Sequence, residues 1–196
     1  MKKLYFLFLA SFTLNLGHAQ IAKQVPANIS FIKDKAINLQ IGYGLSTPFE
    51  SATDFVDDGF FAQGELVLIV NNWFELRPYA GFISTSPAGE DLDGRPTNER
   101  ATTKAFFLGG KTRVRAPIPY VAPYVELGIG TSIGRFVTFN AFDNIDKSGI
   151  IYNVPVTVGL ELGRDSKVDI ALAYLFQPSV EQFAGAVTVG FTFPIR

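Results

Sequence analysis

The sequence predicts an all-β protein, namely an eight-stranded antiparallel up-and-down transmembrane β-barrel. Eight segments alternate bulky apolar side chains with small or polar ones, at the two-residue period of a strand. The connections between these segments are alternately short and long, as is typical of transmembrane barrels. The last segment is a strand with an open edge, and pairing with the first strand would close the sheet and remove that edge.

Residues 1–19 are predicted to be a cleaved signal peptide. Two lysines precede a mostly apolar stretch at 4–16, and Gly17 and Ala19 supply the small residues of a cleavage site before Gln20. An uncleaved membrane anchor is the alternative, although the apolar stretch is short for a membrane-spanning helix.

Composition excludes several classes of function. Cleavage would remove Lys2 and Lys3 from the 17 basic residues, which leaves 15 basic and 18 acidic residues and a net charge of −3. This balance provides no electrostatic basis for binding nucleic acid. The chain has no cysteine, and its one histidine, His18, lies in the signal peptide. A thiol nucleophile and a His-based triad are therefore excluded from the mature chain. We expect no enzyme, no cofactor and no metal site.

Residues 20–35 are predicted to be an irregular periplasmic lead-in, with a first short strand or a plug as the alternative. Residues 36–196 are predicted to form the barrel. Each predicted strand is about as long as a tilted strand must be to cross the hydrocarbon layer. The strands are expected at 36–46, 59–70, 73–84, 102–114, 120–132, 150–162, 167–177 and 185–193.

The connections agree with this topology. Short turns are predicted at 71–72, 115–119 and 163–166, long loops at 47–58, 85–101 and 133–149, and an intermediate loop at 178–184. The pair Asn71-Asn72 is typical of a hairpin turn in which both residues have positive φ. Short turns on the periplasmic side and long loops outside place both termini in the periplasm.

The composition of the two strand faces favours a membrane barrel over its main rival, a soluble lipocalin-type barrel. A water-facing exterior would carry abundant Lys, Glu and Asp, whereas the polar face here is mostly small. Small residues suit the interior of a narrow barrel. Aromatic residues at the ends of the apolar faces predict interfacial girdles. The outer rim would hold Tyr43, Phe60, Phe82, Phe106, Tyr152 and Phe176, and the inner rim Phe74 and Phe193.

With its signal peptide, eight alternating strands and aromatic-rich final strand, the chain resembles the small outer-membrane barrel superfamily of the OmpA-transmembrane-domain, OmpX and OmpW kind. The resemblance covers nearly the whole mature chain and implies a location in the cell outer membrane. In that superfamily a final aromatic residue serves as an assembly signal. The resemblance therefore implies that the barrel-assembly machinery recognises the C-terminal strand, although here Phe193 is followed by Pro194-Ile195-Arg196.

The predicted inward face carries eight charged side chains of both signs. They are Glu65, Glu75, Arg77, Lys111, Arg113, Glu126, Glu161 and Asp169. Because buried charges must be paired, one interpretation is a salt-bridged plug that fills the lumen. The other interpretation is a gated, charge-lined pathway for small solutes. Eight strands normally leave no open aqueous channel, which favours the plug.

The predicted outer loop at 133–149 contains Phe136, Phe139 and Phe142, spaced by three residues. An external loop has no evident need for three phenylalanines. One interpretation is that strands five and six extend above the membrane and pack these rings on neighbouring loops. The other is that the rings form a hydrophobic mouth for an apolar ligand or a protein partner.

Two classes of function follow. The preferred one is a non-enzymatic outer-membrane barrel with a structural or surface-interaction role through its extracellular loops. The alternative is a narrow, porin-like transporter for small molecules, hydrophobic ones included, with the three phenylalanines at its entrance. The expected partners are outer-membrane lipid and the barrel-assembly machinery. The sequence does not identify an external ligand or protein partner.

Overall fold

A computed structural model of the chain describes residues 31–50 and 54–195. The predicted signal peptide and most of the predicted lead-in lie outside these residues. Eight antiparallel strands form a closed barrel, in which each strand pairs with its neighbours in sequence and the first pairs with the last. The strands are β1 (Asp34–Pro48), β2 (Asp57–Asn71), β3 (Phe74–Ser86), β4 (Arg100–Arg115), β5 (Val121–Phe139), β6 (Asn144–Leu162), β7 (Val168–Gln177) and β8 (Gln182–Pro194). The predicted fold class is confirmed.

The barrel is apolar outside and polar inside. On β1, Asn38 and Gln40 are fully buried in the interior, whereas Leu39 and Ile41 on the opposite face are 51% and 57% exposed. A protein folded in water buries its apolar side chains instead. This inversion suits a barrel whose outer surface contacts lipid.

The connections define two ends of the barrel. The turn end holds the three short connections at 72–73, 116–120 and 163–167, together with the start of β1 and the end of β8. The loop end holds the connections at 49–56, 87–99, 140–143 and 178–181, the last of which contains the 3-10 turn Pro178–Val180. In the described part of the chain, no helix is long and apolar enough to cross a membrane.

The prediction of a long loop at 133–149 is wrong. β5 and β6 are each 19 residues long, and only residues 140–143 lie between them. Their pairing continues as far as Phe139 opposite Asn144. Charged and small residues in this stretch resemble a loop in composition, but they preserve the alternation of faces, with Arg135, Val137 and Phe139 pointing outward.

The first hairpin turn also differs from its prediction. Asn71 pairs with Phe74, so the turn residues are Asn72 and Trp73, and neither asparagine has positive φ. The register shifts between Ile69 and Asn71. A register shift of this kind increases the local twist of the two strands. In a tight hairpin without such a shift, turn residues with positive φ usually supply that twist. The Asn71 side chain stabilises the turn by accepting a hydrogen bond from the Trp73 amide at 3.0 Å.

An aromatic girdle surrounds part of the barrel near the loop end. Tyr43 lies opposite Phe60, and Phe82 lies opposite Phe106. The rings of Phe60 and Phe82 contact each other, with their centroids 5.6 Å apart. These four residues are about half exposed, as interfacial aromatic residues are. We refer to them below as the outer girdle.

Candidate functional site

The lumen near the turn end contains a cluster of eight ion-paired side chains, which we call the ion-paired cluster. It lies where three hairpins project alternate residues inward. Its acidic members are Glu65, Glu75, Glu126 and Glu161, and its basic members are Arg77, Lys111, Arg113 and Arg115. All but Arg115 are buried, and the formal charges cancel.

Arg77 on β3 joins the two carboxylates nearest the first hairpin turn. Its guanidinium lies 2.7 Å from Glu65 Oε2 and 2.7 Å from Glu75 Oε2. Glu75 and Arg77 are two residues apart on one strand, so they project to the same side of the sheet. The planar guanidinium presents several N–H donors and so contacts both carboxylates at once.

Lys111 and Arg113 converge on Glu126 from the neighbouring strand. The Lys111 ammonium lies 2.7 Å from Glu126 Oε2 and 2.6 Å from Glu65 Oε1. Arg113 places Nη2 2.6 Å from Glu126 Oε1 and Nη1 2.7 Å from Glu161 Oε1. Each of these cations therefore bridges carboxylates on two strands, so the cluster cross-links the barrel wall.

Arg115 belongs to this cluster but was not among the residues predicted from the sequence. Its Nη1 lies 2.5 Å from Glu161 Oε2, and its side chain is 21% exposed at the turn end. The alternation through Lys111 and Arg113 continues to Arg115, which is the signal that could have identified it. The sequence prediction ended this strand one residue earlier, at position 114.

Asp169 lies inside the barrel but is held by neutral groups. Its carboxylate accepts hydrogen bonds from the Tyr124 hydroxyl at 3.0 Å and the Asn38 amide at 2.8 Å. The Tyr124 ring in turn lies 3.5 Å from the centre of the Arg113 guanidinium. Asp169 is therefore connected to the ion-paired cluster through a tyrosine rather than through a direct ion pair.

Two further layers fill the lumen towards the loop end. The first is aromatic, since the ring of Phe107 lies 5.4 Å from that of Phe61 and 6.1 Å from that of Tyr79. The second is polar, and there Gln182 donates hydrogen bonds to Thr103 at 2.5 Å and to Gln177 at 3.2 Å. Side chains thus fill the interior of this narrow barrel, as its strand number requires.

The structure separates the three phenylalanines singled out in the sequence. Phe136 points inward, is fully buried, and packs with Ala105, Ile151 and Val180. Phe139 points outward, with Arg100 5.6 Å above its ring, and Phe142 in the connecting loop is 64% exposed. Residues three apart on a strand lie on opposite faces, so Phe136 and Phe139 cannot share one apolar mouth.

Asp57, at the start of β2, is hydrogen-bonded both to the 87–99 connection and to the start of β4. This buried carboxylate accepts hydrogen bonds from the Ala101 amide and the Thr102 hydroxyl, each at 2.9 Å, and from the Ala88 amide at 3.3 Å. In the sequence Asp57 is one of several acidic residues in a loop, and nothing in its immediate surroundings distinguishes it.

Comparison with known proteins supports the fold. No family model matches the sequence, and no curated protein matches it significantly. Among solved structures, the neisserial surface protein A aligns with a TM-score of 0.55 and 11% identity, over 82% of this chain and 97% of that one. The fold is that of a small outer-membrane β-barrel. At this level of identity the similarity extends to the fold alone.

Two other outer-membrane proteins align less well with this β-barrel. OprG of Pseudomonas aeruginosa gives a TM-score of 0.47 and 12% identity, over 84% of this chain and 98% of that one. Ail, the attachment invasion locus protein of Yersinia pestis, gives a TM-score of 0.46 and 18% identity, over 83% of this chain and 99% of that one.

Proposed function

We propose that this chain is a non-enzymatic outer-membrane protein, whose closed lumen is a structural plug and whose loop end faces the cell exterior for surface interaction. Export by the predicted signal peptide is part of this proposal. The apolar outer surface, the outer girdle and the fold support the membrane location. The short connections would then face the periplasm, as they do in barrels of this type.

The observation that best supports a closed, plugged lumen is the charge balance of the ion-paired cluster. Four carboxylates and four cations form one connected cluster, with most contacts between 2.5 and 2.7 Å. A conducting pore keeps its charged groups hydrated, whereas these groups are buried and neutralise one another. The described lumen carboxylates are all engaged by cations, tyrosine or amide groups, so none is placed as a free acid or base. This arrangement supports a non-enzymatic role.

The surface role rests on the tall β5–β6 hairpin. Phe136 anchors this hairpin internally against Val180, so the hairpin is supported by the neighbouring connection. The tip presents the exposed Phe142, and the outer face presents Phe139. An exposed aromatic side chain on a rigid support is typical of protein interaction surfaces.

Planar-bilayer conductance of the refolded full-length mature chain tests the plug. We expect no steady conductance, because the charged groups across the lumen are buried and paired with one another. Arg164→Gln, which removes an exposed cation at the turn end, is the matched control and should also be silent. A steady conductance that Glu126→Gln or Lys111→Met alters would instead establish the alternative, a narrow transporter.

Cell fractionation tests the location separately. The protein should sediment with the outer membrane and change its gel mobility on boiling, as folded barrels in detergent do. A soluble periplasmic protein without a heat-induced shift would refute the membrane location, whatever the conductance experiment shows.

A further inference from the structure

A basic recess lies on the outward-facing surface of β4, β5 and β6, at the level just beyond the outer girdle. Its volume is about 210 Å³, and Thr102 and Val137 contribute to its lining. Three exposed cations surround it, namely Arg100, Lys104 and Arg135. This concentration of positive charge is unusual for a chain whose formal net charge is −1.

The strand register forces two of these cations together. Lys104 lies directly opposite Arg135 on the neighbouring strand. Like charges at directly opposed positions destabilise a sheet. Asp146 offsets part of this repulsion, because it forms an ion pair with Arg135, with Nη2 2.5 Å from Oδ2. Lys104 has no ion-pair partner among the described residues. The recess therefore retains a formal charge of +2, which an anion would compensate.

The depth of the recess indicates the kind of anion. Two residues along from Lys104 and Arg135, the register places Phe106 opposite Ile133, and Ile150 lies next to Ile133. These apolar residues are 49%, 43% and 70% exposed. Two residues of strand span about 7 Å, so the cations lie just outside the hydrocarbon boundary that the girdle marks. Phosphate groups of membrane lipids occupy this level.

The remainder of the loop end has the opposite sign. Its connections carry Glu50, Asp54, Glu90, Asp93 and Glu99, among other acidic residues. A free anion approaching from water would meet these carboxylates first and be repelled. A lipid reaches the recess laterally, within the membrane plane, without crossing the acidic surface.

We propose that Arg100, Lys104 and Arg135 bind the phosphate group of an anionic lipid in the leaflet at the loop end. The lipid's acyl chains would lie along Phe106 and Ile133. An arginine guanidinium suits phosphate because it donates two parallel hydrogen bonds, and the lysine adds a compact charge. This inference rests on the proposed membrane location and specifies the lipid partner.

Native mass spectrometry of the refolded full-length mature chain in nonionic detergent tests this site. Phosphatidic acid is the probe, phosphatidylcholine is the zwitterionic comparison, and inorganic phosphate tests for a free-anion site. We expect preferential retention of phosphatidic acid. Replacing both Lys104 and Arg135 by Gln should weaken its binding about 25-fold, since each basic residue near an anionic lipid contributes about fivefold. Lys147→Gln is the matched control, because Lys147 is exposed on the same hairpin but lies opposite the inward-facing Phe136.

Asp146→Asn tests whether a more positive recess binds phosphatidic acid more tightly. It removes the one carboxylate paired with Arg135, so phosphatidic acid should bind more tightly, whereas structural damage would weaken binding. Equal binding of the two lipids, or no loss in the double variant, would overturn the proposal. Inorganic phosphate binding as tightly as phosphatidic acid would also overturn the lipid assignment. The heat-induced gel shift and cell fractionation report on the barrel and its location independently, so failure of the lipid site leaves the proposed function intact.

Discussion

Arg77 offers the most direct test of the ion-paired cluster. Replacing it with methionine keeps a side chain of similar length and removes the charge. Glu65 would retain Lys111 at 2.6 Å, but Glu75 would keep only the distant Arg115, whose Nε lies 3.8 Å away. The variant therefore leaves one carboxylate buried at 2% exposure without a close cation.

The expected cost follows from this uncompensated charge. Removing one partner of a buried ion pair destabilises proteins by about 3–5 kcal/mol. We expect Arg77→Met to lower the free energy of unfolding by about 4 kcal/mol. Glu75→Gln in the same background should restore about 2 kcal/mol of this loss, because the coupling between contacting groups is typically 0.5–3 kcal/mol.

Urea unfolding of the protein in lipid vesicles measures both quantities. The fluorescence of Trp73, the single tryptophan of the chain, and the heat-induced gel shift provide two independent signals. Arg95→Met is the matched control, since Arg95 forms an ion pair with Asp93 at 3.2 Å with both side chains largely exposed. Exposed pairs contribute about 0–1 kcal/mol. The reasoning is refuted if Arg77→Met costs no more than Arg95→Met, or if the effects of Arg77→Met and Glu75→Gln are additive.

Two further predictions concern the loop end. Asp57→Ala should release the 87–99 connection, because the Ala88 amide of this connection loses its acceptor, as do the Ala101 amide and the Thr102 hydroxyl at the start of β4. Limited proteolysis should then cut this connection faster while the gel shift persists, and an unchanged cleavage rate would contradict the role of Asp57. The second prediction concerns pH, because the protonated Glu181 carboxyl donates a hydrogen bond to the neighbouring Asp143, and this bond and the repulsion between the two groups raise the pKa of Glu181. The folded-state pKa then exceeds the unfolded one, so the stabilisation is complete below the ordinary glutamate pKa and is lost as pH rises through the raised value. Hydrogen exchange of the 178–181 connection should accelerate over that interval, relative to an Asp143→Asn control that removes the pH dependence.

The strand faces were predictable because the two-residue period depends only on local backbone geometry. A strand must project Glu75 and Arg77 to the same side whatever its neighbours are. Which cation meets which carboxylate was less predictable, because it depends on the stagger between strands. Lys111 contacts Glu126 on the neighbouring strand, but it also reaches Glu65 two strands away.

The extent of β5 and β6 was not predictable from composition. Gly134, Arg135, Asn144 and Ser148 are residue types common in loops, yet all four lie within paired strands. Their pairing is stabilised by contacts distant in sequence, such as Phe136 with Val180. Tertiary packing of this kind overrides local preference. The role of Asp57 was not predictable for the same reason, because its hydrogen-bond partners lie more than 30 residues away in the sequence.

The neutrality of the ion-paired cluster also determines how the barrel responds to a membrane voltage. An electric field exerts opposite forces on carboxylates and cations, and these forces cancel in a cluster that holds four of each. A single unbalanced charge moved across the whole membrane would gain about 2.3 kcal/mol per 100 mV. The intact cluster offers the field no such charge. The ion-paired cluster therefore contributes no gating charge, and polarisation of the membrane does not provide a force that would move it.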